Sequence, residues 1–162
     1  MLTLRVIGPD DWQAWRRLRL AALEEAPYAF GSRLADWQGE NDREDRWRAR
    51  LAIPGCRSFI AELDGRPVGM SAGVPGEEPG VAELVSMWVE PAARGHGVGD
   101  FLIRAVERWA HESGARELHL AVADGNTAAI ALYERNGYTR IDGSTRTMPD
   151  GARCEYVLAK AL

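Results

Sequence analysis

The sequence predicts a mixed α/β fold, and three observations support this prediction. Short apolar runs of strand length alternate along the chain with segments whose apolar residues recur every three or four positions. Asp64 and Gly65 lie between two apolar runs, which is typical of a β-hairpin. A glycine-rich stretch at 94–99 follows one apolar run and opens an amphipathic segment, as a turn between a strand and a helix would.

The N-terminal part of the chain is expected to form a strand and then a helix. Residues 2–7 have the length and composition of a first strand rather than of a secretory signal. Pro9 and the two acidic residues after it mark the start of a helix that ends near Pro27. The apolar face of this helix comprises Trp12, Trp15, Leu18, Ala22 and Leu23.

The next segments predict a loop, a second helical region and the hairpin. Residues 27–33 are expected to form the loop. A highly charged helical region follows over 34–52, with a break at Gly39. The hairpin strands are expected at 57–62 and 67–74.

The C-terminal half predicts alternating strands and helices. The expected elements are strand 81–89, helix 97–113, strand 117–122, helix 126–136, strand 138–141 and, after a polar loop at 142–153, strand 154–158. The first of these helices has its apolar positions at Val98, Phe101, Leu102, Ala105, Val106 and Trp109. Their spacing places them on one helix face, which indicates packing against a sheet.

Composition predicts one ordinary globular domain over residues 1–162. Hydrophobic residues make up 46% of the chain and charged residues 27%, and no apolar run is long enough to cross a membrane. We therefore expect a cytoplasmic protein without a membrane partner. The net charge of −4 argues against nucleic-acid binding. The two cysteines, Cys56 and Cys154, and the three histidines lack the spacing of metal ligands, so no metal site is expected.

The glycine-rich stretch is a candidate anion site. It consists of Arg94, Gly95, His96, Gly97, Val98 and Gly99. A glycine-rich turn at the start of a helix offers unpaired backbone N–H groups at the positive end of the helix dipole, which suits a phosphate group. Arg94 adds a guanidinium that can bind the same anion.

Two common phosphate motifs do not fit this stretch. It lacks the Gly-Lys-Ser/Thr ending of a P-loop, and its third glycine comes one residue too early for a dinucleotide-binding loop. The pattern that remains is Arg-x-x-Gly-x-Gly. A tight strand-to-helix connection without a ligand is the alternative interpretation.

A second motif lies in the predicted helix at 126–136. Asn126 can cap the start of this helix, and Gly137 stands where a left-handed residue commonly ends one. Asn126 and Tyr133 are seven residues apart and therefore share a helix face.

The two motifs together resemble those of the GCN5-related N-acetyltransferase (GNAT) superfamily. Its pyrophosphate loop has the pattern at 94–99, and its second half-site has Asn-x-x-Ala-x-x-x-Tyr followed by glycine and an aromatic residue, as at 126–138. The resemblance is strongest over residues 57–141. It implies an α+β fold with a mixed, mostly antiparallel sheet of six to seven strands and helices on both faces. It also implies direct transfer of an acetyl group from acetyl-CoA to a primary amine of a small molecule or peptide.

The resemblance assigns cofactor-binding roles to three parts of the chain. The strand before the glycine loop would pair with the pantetheine arm through backbone groups of Met87, Trp88 and Val89, although a plain buried strand fits the same sequence. The whole loop from Arg94 to Gly99 would hold the pyrophosphate. Asn126 and Ala129 would complete the site on the second motif, where Asn126 can equally serve as a simple helix cap.

Two residues are candidates for proton transfer. Tyr133 resembles the family tyrosine that protonates the departing thiolate, and its alternative role is packing on an amphipathic helix. Glu83 stands where some family members carry a catalytic base; Ser86, backbone carbonyls and ordered water are other routes. Strand alternation would place residues 83, 85, 87 and 89 on one face unless a β-bulge intervenes.

The acetyl acceptor is expected to enter between two loops, at 27–34 and 142–153. The first offers Tyr28, Phe30 and Arg33, and the second offers Asp142, Arg146, Asp150 and Arg153. This mixture does not identify the amine. A non-catalytic acyl-CoA sensor and a transferase using another acyl-CoA remain alternatives, and homodimerisation stays open.

Overall fold

A twisted eight-stranded sheet organises the computed structural model, which describes residues 1–30, 33–149 and 151–162. The strands are β1 (Leu2–Ile7), β2 (Arg57–Leu63), β3 (Arg66–Pro75), β4 (Val81–Val89), β5 (Glu117–Ala123), β6 (Thr139–Arg140), β7 (Arg146–Thr147) and β8 (Cys154–Ala161). The helices are α1 (Trp12–Glu25), α2 (Glu44–Leu51), α3 (Val98–Glu112) and α4 (Thr127–Arg135). No helix among the described residues is both long and apolar enough to cross a membrane.

The sheet is mostly antiparallel, as the sequence predicted. The strand order is β1-β2-β3-β4-β5-β8-β6, with β7 also on β8, and only β4 and β5 are parallel. The sheet has more strands than the six to seven expected. The additional strand is β7, which lies in the segment expected as a polar loop and pairs with β8, as the predicted strand β6 also does.

Most elements lie where the sequence placed them. The β2–β3 hairpin turns at Asp64 and Gly65, whose φ angles are +52° and +82°. The region at 34–52 differs, because its first part forms two short 3₁₀ turns and only Glu44–Leu51 is α-helical. The last strand, β8, extends to Ala161 because all of β5 pairs with it, and Glu117 at the start of β5 lies opposite Ala161.

Helices cover both faces of the sheet and create two cores. On one face α1 and α2 pack over a cluster made up of Ile7, Trp15, Leu18, Ala22, Trp47, Ile60, Met70, Ala72 and Trp88. On the other face α3 and α4 cover a larger cluster that includes Phe59, Leu102 and Trp109. Phe59 and Ile60 are neighbours in β2 but belong to different clusters, so this strand is buried on both faces.

Helix α3 approaches the sheet closely at Gly73 of β3. A Cβ atom at Gly73 would lie 2.3 Å from the Trp109 ring. Glycine is therefore required for the helix to sit at this depth.

A β-bulge interrupts β4 at Ser86. Trp88 pairs with Met70 and Val85 with Ala72, so two residues of β4 lie opposite the single residue Ser71. Ser86 has a φ angle of +55°.

Residues 83, 85, 87 and 89 do not share one face, because the bulge named as the exception to that expectation is present. Val85 packs with the α1/α2 cluster, whereas Met87 and Val89 pack with the α3/α4 cluster. Glu83 lies between Ala82 and Leu84, which face α3, and therefore points toward the α1/α2 side.

Candidate active site

A cavity of about 420 Å³ opens where β4 and β5 part. The two strands pair only over Val81–Glu83 and 117–119, so the rest of β4 leaves an edge of backbone groups beside the cavity. The cavity is lined by residues of the loop after α1, β4, the glycine loop and both C-terminal helices: Ala26, Tyr28, Ala29, Phe30, Met87, Trp88, Val89, Arg94, Gly95, Gly97, Val98, Gly99, Asp100, Asn126, Ala128, Ala129, Leu132, Tyr133 and Arg135.

The glycine loop opens into this cavity at the start of α3. Gly97 caps the helix with a φ angle of +78°, and Gly95 has a φ angle of +85°. An added Cβ would meet nothing within 4 Å at either position. The first N–H groups of α3 have no partner within the helix, so the loop presents donors to open space where an anion fits.

Gly99 serves a different purpose in the same motif. A Cβ there would lie 3.0 Å from the Leu132 side chain of α4. Its small size lets α3 and α4 approach each other, which brings the two motifs of the site together.

Arg94 is held beside the loop by groups from two other elements. Its Nε donates to the Val89 carbonyl oxygen at 3.1 Å, and its guanidinium forms an ion pair with Glu25 at 3.1 Å. Trp88 Nε1 also donates to Glu25, at 3.1 Å. Partial burial acts to raise the pKa of Glu25, but the hydrogen bonds from Trp88 and Arg94 and the charge of Arg94 outweigh it, and the pKa is lowered.

A second charged group stands at the first turn of α3. Asp100 accepts hydrogen bonds from Asn136 at 2.8 Å and from Arg135 at 3.2 Å. The Asn136 hydrogen bond and the Arg135 contact lower the pKa of Asp100 despite its partial burial. These partners offset the negative charge of the carboxylate near the anion site.

The second motif lines the opposite wall. Asn126 caps α4, its side-chain oxygen accepting from the Ala129 N–H at 3.4 Å, and Gly137 follows the helix with a φ angle of +93°. Tyr133 lies about two helical turns after Asn126 on the same face of α4, is 6% exposed and borders the cavity. Burial raises the pKa of Tyr133, so the phenol is neutral and carries its proton at neutral pH.

Two of the candidate residues do not line the cavity. His96 is exposed on the outer side of the loop. Glu83 is half-buried on the α1/α2 side of β4, next to Val85 and three residues before the bulge. Glu83 and Tyr133 therefore lie on different sides of the sheet.

The two loops expected at the acceptor entrance meet. Tyr28 and Phe30 line the cavity, and the Arg153 guanidinium lies 5.5 Å from the centre of the Tyr28 ring. Arg146 forms an ion pair with Glu155, and Arg33 and Asp142 are exposed. Asp150 lies outside the described residues.

Sequence reasoning missed the residues that reach the site from distant elements. Glu25 is 69 residues from Arg94 in the chain, and no local pattern pairs them. Asp100 and Arg135 gave a weak signal, since an acidic residue in a first helical turn and a basic residue in a last turn are expected on any helix. Within the described ranges, no three His, Cys, Asp or Glu side chains lie together as metal ligands would.

Comparison with known proteins gives the site its context. A mycothiol acetyltransferase from Amycolatopsis mediterranei is 34% identical over 131 residues, which cover 72% of this chain and 43% of that protein. The chain therefore spans less than half the length of this relative. A GCN5-related N-acetyltransferase from Kribbella flavida is 25% identical with a TM-score of 0.75, covering 99% of this chain and 98% of that one.

The fold is also that of PaiA N-acetyltransferase from Thermoplasma acidophilum, whose structure is a complex with coenzyme A. The TM-score is 0.78 at 15% identity, and the superposition covers 100% of this chain and 99% of that one. The profile of the acetyltransferase (GNAT) family matches residues 12–138, which include α1, the glycine loop, Asn126 and Tyr133. The chain belongs to the acetyltransferase (GNAT) family.

Proposed function

We propose that this protein transfers the acetyl group of acetyl-CoA directly to a primary amine. The observation that carries the proposal is the cavity between β4 and β5, which brings the glycine loop, the open edge of β4 and Tyr133 to one place. Acetyl transfer needs an anion site, a support for an extended amide-containing arm and a proton donor, and these three features supply them.

The donor would lie along the cavity with its pyrophosphate at the start of α3. The N–H groups of the first helical turn and the Arg94 guanidinium would bind the phosphate oxygens. The pantetheine amides would pair with the backbone of Met87, Trp88 and Val89, as an added strand does. Asn126 and Ala129 would flank the arm from α4.

The reaction forms a C–N bond and an S–H bond, and it breaks a C–S bond and an N–H bond. The neutral amine nitrogen attacks the thioester carbonyl carbon, and a backbone N–H of β4 near the bulge would stabilise the oxyanion that forms. The C–S bond then breaks, and the thiolate takes the phenolic proton of Tyr133. The proton lost by the amine passes to water or a carboxylate.

Glu83 is the carboxylate we assign to that last role. It lies on the α1/α2 side of β4, where Phe30 of the first acceptor loop also packs, so it would act on an amine entering from that side. Because Glu83 does not line the cavity, we propose that it takes the proton through ordered water.

The test is Tyr133→Phe in an assay of thiol release from acetyl-CoA against a panel of amines, with products identified by mass spectrometry. We expect kcat to fall by about 10²–10⁴-fold, the usual contribution of a general acid, with little change in CoA affinity by calorimetry. Tyr156→Phe, a buried tyrosine away from the cavity lining, is the matched control. Full turnover by Tyr133→Phe would remove the acid role.

The same panel distinguishes the alternative activities. A sensor would bind CoA but would not release thiol from acetyl-CoA or succinyl-CoA, whichever amine is added. Faster release from succinyl-CoA would identify a different acyl donor.

A further inference from the structure

Three buried polar atoms in the described part of the chain have no hydrogen-bond partner, and they lie in one group. They are Trp15 Nε1, Arg19 Nη1 and Arg50 Nη1, and all three are donors. Trp15 and Arg19 are one helical turn apart on α1, and the Arg50 guanidinium at the end of α2 lies 5.4 Å from the Trp15 ring centre. We call these three residues the donor cluster.

The donor cluster holds two positive charges without an acidic partner. Neither Arg19 nor Arg50 forms an ion pair with a carboxylate among the described residues, whereas Arg16 on the same helix pairs with Asp42. Burial, and then the charge of Arg50, lower the pKa of Arg19 to about 10, so it stays charged at neutral pH. Two partly buried cations with no carboxylate beside them are costly, and such an arrangement is expected where an anion binds.

The other polar group facing the cluster does not neutralise it. Cys56 lies within electrostatic reach of Arg50, but burial raises the pKa of the Cys56 thiol more than Arg50 lowers it. The thiol is therefore neutral, and its contact is with the Pro54 carbonyl oxygen.

The donor cluster adjoins the candidate active site at two points. Arg50 Nη2 donates to the Ser86 hydroxyl at 3.3 Å, and Ser86 precedes the cavity-lining Met87 at the bulge. The Arg19 guanidinium lies 4.8 Å from the centre of the Phe30 ring, and Phe30 also lines the cavity. Arg19 and Arg50 are only partly buried as whole residues, although the Nη1 atom of each is buried, so the two side chains border solvent.

We propose that the donor cluster binds a carboxylate of the acetyl acceptor, so that the acceptor is an amino acid or a closely similar amine. Planar guanidinium groups match the two oxygens of a carboxylate, and Trp15, which is fully buried, supports the Arg50 guanidinium with its ring. The link from Arg50 to Ser86 places the carboxylate close to the bulge, where the attacking nitrogen is expected. A short spacing between nitrogen and carboxylate, as in an α-amino acid, follows from that position.

The first experiment compares acceptors and rests on the proposed function. Thiol release is measured for amino acids, for their carboxamides and for aminophosphonates. We expect amino acids to exceed carboxamides by about 10- to 100-fold in kcat/KM, the effect of losing charged hydrogen bonds. Equal use of carboxamides, or a preference for aminophosphonates, would overturn the carboxylate site and leave acetyl transfer intact. If none of the amines tested supports thiol release, the proposed function is rejected and this inference with it.

The second experiment changes the donor cluster. Arg19→Met and Arg50→Met should raise KM for the best amino acid and leave KM for its carboxamide unchanged. Arg17→Met, at an exposed position of α1, is the control and should change neither value. Replacing an unpaired buried charge by methionine should not lower the thermal midpoint, which separates loss of binding from loss of folding. An unchanged KM for the amino acid in both variants would overturn the inference.

Discussion

At the scale of single residues, Gly97 and Gly99 belong to the same motif but need to be glycine for different reasons. Gly97 needs a left-handed backbone and leaves open space beside it, whereas Gly99 has an ordinary backbone and close packing against Leu132. The sequence pattern treats these positions alike. Only Gly97 is expected to act directly on the ligand.

Gly97→Ala should therefore weaken CoA binding, measured by calorimetry. The left-handed conformation costs a non-glycine residue about 1–2 kcal/mol, and the new methyl group would enter the space assigned to the pyrophosphate. Gly114→Ala is the matched control, since Gly114 also has a positive φ angle of +87° and open surroundings but lies at the far end of α3. We expect both variants to lose similar stability and only Gly97→Ala to lose affinity. Equal CoA affinity in the two variants would contradict the pyrophosphate assignment.

The residues found from sequence are those whose spacing along one helix determines their position. Asn126 and Tyr133 share a face of α4 because seven residues make about two helical turns, and both border the cavity. Arg19 was missed, although a charged residue four positions from both Trp15 and Leu23 falls on an apolar helix face. Its partner Arg50 comes from another helix, and no local pattern could join them.

At the scale of elements, Asp42 connects the two helices that cover the acceptor side. Its carboxylate accepts from Arg16 of α1 at 2.8 Å and from the Trp47 indole of α2 at 2.8 Å. The hydrogen bond from Arg16, followed by that from Trp47, lowers the pKa of Asp42 to about 2 from an ordinary value of 3.8. The ionised carboxylate thus stabilises the folded state.

Asp42→Asn should lower the stability of the protein near neutral pH. In acid, the stabilities of the variant and the parent should become similar. A carboxyl with a lowered folded pKa contributes stability above its unfolded pKa and loses it as pH falls through the folded value. The difference in thermal midpoint between parent and variant should therefore shrink between about pH 4 and pH 2. Glu40→Gln, an exposed change in the same segment, is the control. A difference that stays constant across this range would show that Asp42 acts without its charge.

The elements that sequence reasoning placed well are those with a long periodic pattern. β4 and α3 agree with expectation to within a residue, because apolar runs and helical spacing report which surface is buried. The predicted strand 138–141 corresponds to β6, whereas β7 lies in the segment expected as a polar loop and forms because β8 offers an edge to pair with. The bulge at Ser86 likewise depends on the pairing of β3 with β4.

At the scale of the whole molecule, the sheet separates two tasks. The α3/α4 side carries the glycine loop and the residues assigned to the acyl donor. The α1/α2 side carries the donor cluster and Glu83, which are assigned to the acceptor. Residues of β4 belong to both sides, with Val85 and Trp88 in the α1/α2 cluster and Met87 and Val89 in the α3/α4 cluster, so the position of α3 on the sheet affects both.

Gly73→Ala should disturb that position. Its Cβ would overlap the Trp109 ring, and overpacking of this kind costs about 1–3 kcal/mol in the free energy of unfolding. Denaturant unfolding measures this loss, and Gly8→Ala, where a Cβ meets nothing within 4 Å, serves as the control. Equal stability of the two variants would mean that α3 can move away without cost.

The bulge of β4 acts as a phase shift in a pattern of period two. Upstream of Ser86 the odd-numbered side chains face one side, and downstream of it they face the other. Deleting Ser86 would restore the phase and exchange the sides of Met87, Trp88 and Val89 in a single step. Trp88 would then leave the α1/α2 cluster and its hydrogen bond to Glu25, so one extra residue keeps an indole on one side and a thioether on the other.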